Sequence, residues 1–286
     1  RRGVRRVRAT AEALVADRAV EAVCVATPPP SHLPLARLAA QAGKPCLVEK
    51  PMARTHGECL EMLEAFRASG APLFVAYYRR ALPRFARVRA LLIDGAIGRP
   101  TSVHIVHYAP LVAGEAARAW RFDPAVAGAG LFLDLASHGL DLLDWFFGPV
   151  VEAHGVALNT GRAYAAEGVV SASMTFASGV VGTGIWNFNA PHSHDEIVVT
   201  GTAGELRTPV FGDADVVLAR DGRTERFPFD RPAHVHQPLV QAIVDELRGR
   251  GRSPSTGETG ARTSWVMDRC RERYRRATPP GSGAGA

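Results

Sequence analysis

From Ala22 to Asp94 short apolar runs alternate with longer stretches of helical periodicity. The runs Ala22–Thr27, Pro45–Val48 and Leu73–Tyr77 read as buried strands. Helices are expected at 10–19 with Thr10 as cap, from Ser31 to Gly43 through Leu33, Leu35, Leu38 and Ala39, from about Thr55 to Ser69, and over Pro83–Asp94. Strands alternating with such helices through short links predict parallel βαβ packing. Open sheets of that kind bind ligands at the carboxyl ends of their strands, where the polar loops Thr27–His32 and Glu49–Pro51 fall.

After Gly98-Arg99-Pro100 the pattern changes. Thr101–Tyr108 alternates like a strand, and beyond Pro149 strands are expected at about 151–158, 167–176, 180–188, 195–200, 215–219 and 223–228. Short sequential strands favour an antiparallel meander. Helices return at about Val235–Arg248 and Glu258–Arg275, and no internal repeat is present. The expected organisation is an α/β half over 1–98, an α+β half over 99–276, a cleft between them, and a flexible tail over 277–286.

Between the halves, Gly128–Gly148 reads as a glycine-rich turn followed by one amphipathic helix. Asp134, His138 and Asp141 are spaced by four and seven residues, which puts all three on one side of it. Such groups are costly to bury unless paired or working. Either Asp134 and Asp141 hold His138 in a satisfied polar cluster, or His138 is an acid–base residue that a carboxylate orients. Asp141 and Asp144 suit supporting roles better than catalytic ones.

Composition sharpens one residue. Of 34 basic residues only Lys44 and Lys50 are lysines, leaving 32 arginines. A lysine can lose its proton when buried, whereas arginine cannot. Lys50 follows a buried strand and precedes Pro51, which aims it from the strand end; the alternative is a surface lysine paired with Glu49. Tyr77, Tyr78, Arg79 and Arg80 form either cleft wall with ordinary ion pairing or contacts to a polar ligand. His104, His107 and His154 fit core or sheet surface equally, and Trp120 and Trp186 suit a sugar wall or plain packing.

The net charge of +6 comes largely from scattered arginine without an aromatic platform, so no nucleic-acid partner is expected. No continuous apolar run approaches the roughly 18 residues of a membrane span, and no signal segment precedes the first helix, so cytoplasm is the expected location. Cys24, Cys46, Cys59 and Cys270 lack metal-binding or disulfide spacing. A metal site would have to draw on His192, His194 and Asp195 or on Asp134 and His138, and nothing in their spacing fixes a coordination set. No metal is expected.

Three segments together carry a resemblance: Ala26-Thr27-Pro28-Pro29-Pro30-Ser31-His32, Glu49-Lys50-Pro51 and Asp134…His138…Asp141. In that order, and with the GTAGEL turn and the helical end, they resemble the glucose–fructose oxidoreductase / inositol dehydrogenase family over nearly the whole chain. The resemblance implies a Rossmann domain with a parallel sheet, partial here, followed by an α+β domain on a large, mainly antiparallel open sheet. It implies NAD or NADP as cofactor, and a sugar, cyclitol or related small alcohol as substrate. Lys50, Asp134 and His138 match catalytic positions; Tyr78, Arg79, Asp134 and His138 match substrate-binding ones. Thr27, Pro28, Pro29, His32, Glu49 and Lys50 match the nicotinamide side of the cofactor site. A homodimer or homotetramer is implied on the same ground.

The family opens with a strand, a GxGxxG turn, a helix and a second strand, and this chain shows no counterpart. Truncation is the expected reason, because removing those strands exposes sheet and helix surface. The rival reading is a non-catalytic ligand-binding or assembly protein that needs no phosphate loop.

Overall fold

A computed structural model describes residues 6–277 apart from Ala129 and Arg231; the tail expected over 277–286 lies, beyond Ala277, outside the described residues. Strands β1 (Val23–Val25), β2 (Cys46–Val48) and β3 (Leu73–Val75) pair in parallel in that order. Helix α1 (Ala11–Ala16) precedes them, and α2 (His32–Gln41) and α3 (His56–Ser69) make the crossovers. Local chemistry sets the limits of α3. The Thr55 hydroxyl accepts from the Glu58 amide at 3.2 Å, and Gly70 ends the helix at φ +70°.

Ala36 and Ala39 of α2 with Cys59, Met62 and Phe66 of α3 bury one face of this sheet against Val25, Val48 and Val75. The other face is covered late in the chain: Leu239 and Ile243 of a C-terminal helix (Gln237–Leu247) pack on Phe74. Cover on both faces explains why these strands are apolar runs rather than alternating ones.

Helix α4 (Pro83–Ile93) leads to β4 (Pro100–Tyr108), the first strand of an eight-stranded sheet. Helices α5 (Pro124–Ala127) and α6 (Ser137–Phe147) intervene before β5 (Val150–Leu158), β6 (Val169–Phe176), β7 (Val181–Asn187), β8 (His194–Gly201), β9 (Glu205–Thr208), β10 (Val216–Arg220) and β11 (Arg223–Phe227). Three C-terminal helices follow: α7 (Gln237–Leu247), α8 (Gly257–Cys270) and α9 (Glu272–Ala277).

The sheet order is β11-β10-β9-β8-β4-β7-β6-β5. It is antiparallel except where β4 lies parallel to β7, so it is not the simple meander expected: β4 is inserted between strands that follow it by about seventy residues or more. Val103, Ile105, Met174, Phe176 and Trp186 face Leu140, Leu143 and Phe147 of α6 in the main core. On the opposite face Val156, Leu158 and Val181 are exposed.

Two local expectations are corrected. Gly128–Gly148 is not one regular helix. Gly128 closes α5 at φ +82°, and Phe132–Ala136 forms a π-helical turn before α6. The 124–147 stretch is apolar and long enough to cross a membrane by length and composition alone, but 76% of its most apolar window is buried in the fold. The second is β9, a strand over Glu205–Thr208 where none was expected.

Candidate active site

At the carboxyl end of β2, Glu49-Lys50-Pro51 leaves the sheet, and the Lys50–Pro51 peptide is cis. Lys50 Nζ donates to the Asp134 carbonyl at 3.0 Å and pairs with its carboxylate Oδ1. The two side chains are 17% and 27% exposed, so the pair is shielded from bulk water but open to a small ligand. Asp134 lies within the π-helical turn Phe132–Ala136, a local irregularity frequent at functional sites. On its other oxygen, Oδ2, Asp134 faces Arg121 Nε at 3.7 Å.

One turn on, His138 is 4% exposed. Its ring meets Tyr77, Tyr78 and Phe211 edge-on at centroid distances of 6.0, 5.4 and 5.9 Å. Nδ1 is buried without a hydrogen-bond partner among the described residues. Burial, and then Coulombic repulsion chiefly from Arg79 and Lys50, hold the imidazole well below its usual pKa of 6.5. It is therefore neutral at physiological pH and available to accept a proton.

Asp141 does not orient that ring. Its carboxylate takes two hydrogen bonds from Arg80, Nε to Oδ2 and Nη2 to Oδ1, each 2.8 Å, in a site where both side chains are 2% exposed or less. Asp144 pairs with Arg80 at 3.0 Å and with Arg262 at 2.7 and 2.8 Å. Four and seven residues look alike in the sequence, but the partner that separates the two aspartates, Arg80, lies 61 residues upstream of Asp141. Asp134 faces the cleft, whereas Asp141 and Asp144 rivet α6 to α8 and to the turn Tyr78–Ala81.

The cleft at the carboxyl ends of β1 and β2 is lined by Pro29, Lys50, Pro51, Trp120, Arg121 and Asp134. Thr27 and Pro28 sit exposed beside it, and Glu49 is partly exposed with its Oε1 3.9 Å from His236 Nδ1. His32 does not line the cleft, contrary to the resemblance. It is fully buried; Nε2 lies 2.8 Å from the Thr27 carbonyl and Nδ1 3.1 Å from that of Pro51. It fastens one cleft loop to the other. Tyr78 lies against the His138 ring, with the Arg79 guanidinium over the Tyr78 and Phe211 rings at 4.7 and 4.4 Å and Arg79 Nε donating to the Val210 carbonyl.

Apolar proline on one side and a lysine–aspartate pair on the other fit the nicotinamide end of a dinucleotide. Among the described residues no glycine-rich turn grips the pyrophosphate end.

Arg121, Phe211 and His236 were not found from the sequence. His236 stacks on Tyr78 at 4.5 Å from nearly 160 residues away, and no local pattern announces it. Trp120 is 39% exposed at the cleft, while Trp186 is core, against Phe132 at 5.1 Å. Asp195 is committed elsewhere: it accepts from the Val210 and Gly212 amides at 3.0 and 2.9 Å, shaping the loop that carries Phe211. Burial raises its pKa, but hydrogen bonds from His107 and the three amides of 210–212 outweigh that and leave it lowered.

Two family models match the chain. The "oxidoreductase family, NAD-binding Rossmann fold" model covers residues 3–77, and the "GFO/IDH/MocA C-terminal domain" model covers 85–207. Oxidoreductase P35 of Formosa agariphila is 32% identical over 94% of this chain and 84% of its own. A 1,5-anhydro-D-fructose reductase of Ensifer adhaerens is 30% identical over 87% and 76%, and inositol 2-dehydrogenase 1 of Saccharopolyspora erythraea 30% over 93% and 78%. Among solved structures, a levoglucosan dehydrogenase in complex with NADH and levoglucosan shares the fold at a TM-score of 0.80, with 23% identity over 92% of this chain and 80% of that one.

Proposed function

The chain belongs to the GFO/IDH/MocA oxidoreductase family, and we propose on that footing that it moves a hydride between NAD or NADP and a carbinol carbon of a sugar, cyclitol or related small alcohol. The observation that carries this reading is a neutral, buried His138 beside the Lys50–Asp134 pair, at the carboxyl ends of parallel strands. The sugar and cyclitol range rests on relatives named as an anhydrofructose reductase and an inositol dehydrogenase.

Thr27, Pro28, Pro29 and Glu49 would border the nicotinamide, which supplies the hydride acceptor when bound. In the oxidative direction Lys50 donates a hydrogen bond to the substrate hydroxyl oxygen and stabilises negative charge as it grows there. His138 takes the hydroxyl proton. Asp134 holds Lys50 in place and accepts from a neighbouring substrate hydroxyl. Tyr78 and Arg79 wall the imidazole and keep water from it. In reduction the same groups run backwards, His138 returning the proton.

A non-catalytic protein with this fold has no use for an orphaned, neutral imidazole next to a lysine. Such a group costs stability and does nothing for passive ligand capture. We place the dinucleotide on residues 1–98 and the substrate in the cleft between Lys50 and the 99–276 half, and assign self-association to the open sheet face that exposes Val156, Leu158 and Val181.

The test is to incubate the purified protein with NAD and with NADP against a panel of cyclitols, hexoses and anhydrosugars, following nicotinamide reduction. At least one polyol should be oxidised. A folded protein that binds NADH and oxidises none of them would overturn the proposal.

A further inference from the structure

We propose that Glu167 and Arg271 are positioning residues, a buried clamp on the backbone of Gly128 and Gly130 that sets the Asp134 carboxylate against Lys50. Glu167 lies in the loop between β5 and β6 and Arg271 just past the end of α8. Their side chains are 0% and 2% exposed, and Arg271 Nε pairs with Glu167 Oε1 at 3.0 Å.

What else the two charges touch defines the role. Arg271 Nη2 donates to the Gly128 carbonyl, and Glu167 Oε1 accepts from the Gly130 amide, each at 3.4 Å. Each bond is long and weak alone. Together they tie Gly128 through its carbonyl and Gly130 through its amide to one ion pair, so neither residue can shift away from the pair without losing a bond. Contact reinforces the grip: a Cβ on Gly130 would lie 2.6 Å from the Ala166 Cβ, so only glycine lets the loop seat directly there. Tyr274 adds a third tie, its hydroxyl donating to the Ala165 carbonyl at 2.6 Å.

The link onward is short. The Gly130 carbonyl accepts from the Asp134 amide at 3.4 Å, so a shift of Gly130 is handed to the residue that pairs with Lys50. Apolar side chains would fill this volume at lower desolvation cost, and Glu167 Oε2 has no hydrogen-bond partner among the described residues. The charges are kept for the backbone groups they hold.

The catalytic consequence rests on the proposed function, but the clamp can be tested without it. Lys44 and Lys50 are the only lysines. Lys44 Nζ donates to the Asp17 and Val20 carbonyls, each at 2.6 Å, and supplies an internal reference away from the clamp. We would label the full chain with limiting acetic anhydride and read the Lys50 to Lys44 ratio by mass spectrometry. Glu167→Gln and Arg271→Met should raise that ratio on the order of fivefold, equivalent to about 1 kcal/mol of lost pairing. Arg271→Lys, which keeps the charge and loses one arm, should fall between these and wild type. The double variant Glu167→Gln with Arg271→Met leaves no unpaired buried charge, so it stays folded if the single variants do not, and should show the same rise. In active protein these variants should lower kcat with little change in the cofactor KM.

A ratio equal to wild type in a folded Glu167→Gln or double variant overturns the clamp, as does an equal rise at both lysines. Wild-type protein that oxidises no polyol while the ratio still rises would defeat the proposed function and leave the clamp standing.

Discussion

Lowering the pH from 7.5 to 5.5 should cost the folded protein about 1.4 kcal/mol through His138 alone. The side chain is almost wholly buried, and burial, reinforced by the nearby charges of Arg79 and Lys50, depresses its pKa well below 6.5. In the unfolded chain the same ring titrates at about 6.5. The unfolded state therefore binds the extra proton across this window and the folded state does not. Stability is present in full above 6.5 and is lost as the pH falls below it, by RT ln 10 for the tenfold change in the unfolded ring's binding weight. The assay is urea denaturation at both pH values for wild type and His138→Gln. The other nine of the ten histidines are common to both proteins, so the difference between the two pH-dependent losses isolates His138. The variant's loss should be smaller by about 1.4 kcal/mol. Equal losses would mean that the ring takes up a proton while folded, and a neutral His138 acting as base would be refuted.

The same burial fixes two other outcomes. Asp141→Asn breaks the bidentate Arg80 pair inside the fold and should cost about 3 kcal/mol, read as a lower urea midpoint; an unchanged midpoint would show that Asp144 alone satisfies Arg80. Burial pushes the thiols of Cys46, Cys59 and Cys270 up to about 12, while Cys24 is exposed. A disulfide reagent near pH 8 should therefore titrate one thiol in the native protein and all four after unfolding, and rapid reaction of more than one native thiol would contradict the packing of the three.

How far the sequence spoke depended on whether the deciding partner was near in the chain. The strands of the first sheet were legible because helices bury both faces and leave apolar runs bracketed by polar loops. Strand β9 was not, because only Leu206 and Thr208 of its four residues are buried and its first residue closes a turn. Nothing in the alternation of β4 says that β7 and β8 will flank it, since register is set by contacts made only after both have formed. At the site, Lys50 stood out through the scarcity of lysine, and Asp134 and His138 through charge on an apolar helix. Their separation from Asp141 needed Arg80, and the exclusion of His32 from the cleft needed two carbonyls on different loops. Glu167 and Arg271 carry no pattern at all: each looks like one more surface charge until the fold buries the pair.

The most direct test compares wild type with Lys50→Met and His138→Ala for turnover of the best polyol and, in the same preparations, for NADH affinity by fluorescence. We expect each variant to lose about 10²- to 10⁴-fold in turnover while NADH affinity stays within a few-fold. Turnover at the wild-type rate in either variant would contradict the assignment of proton transfer to His138 and oxygen polarisation to Lys50.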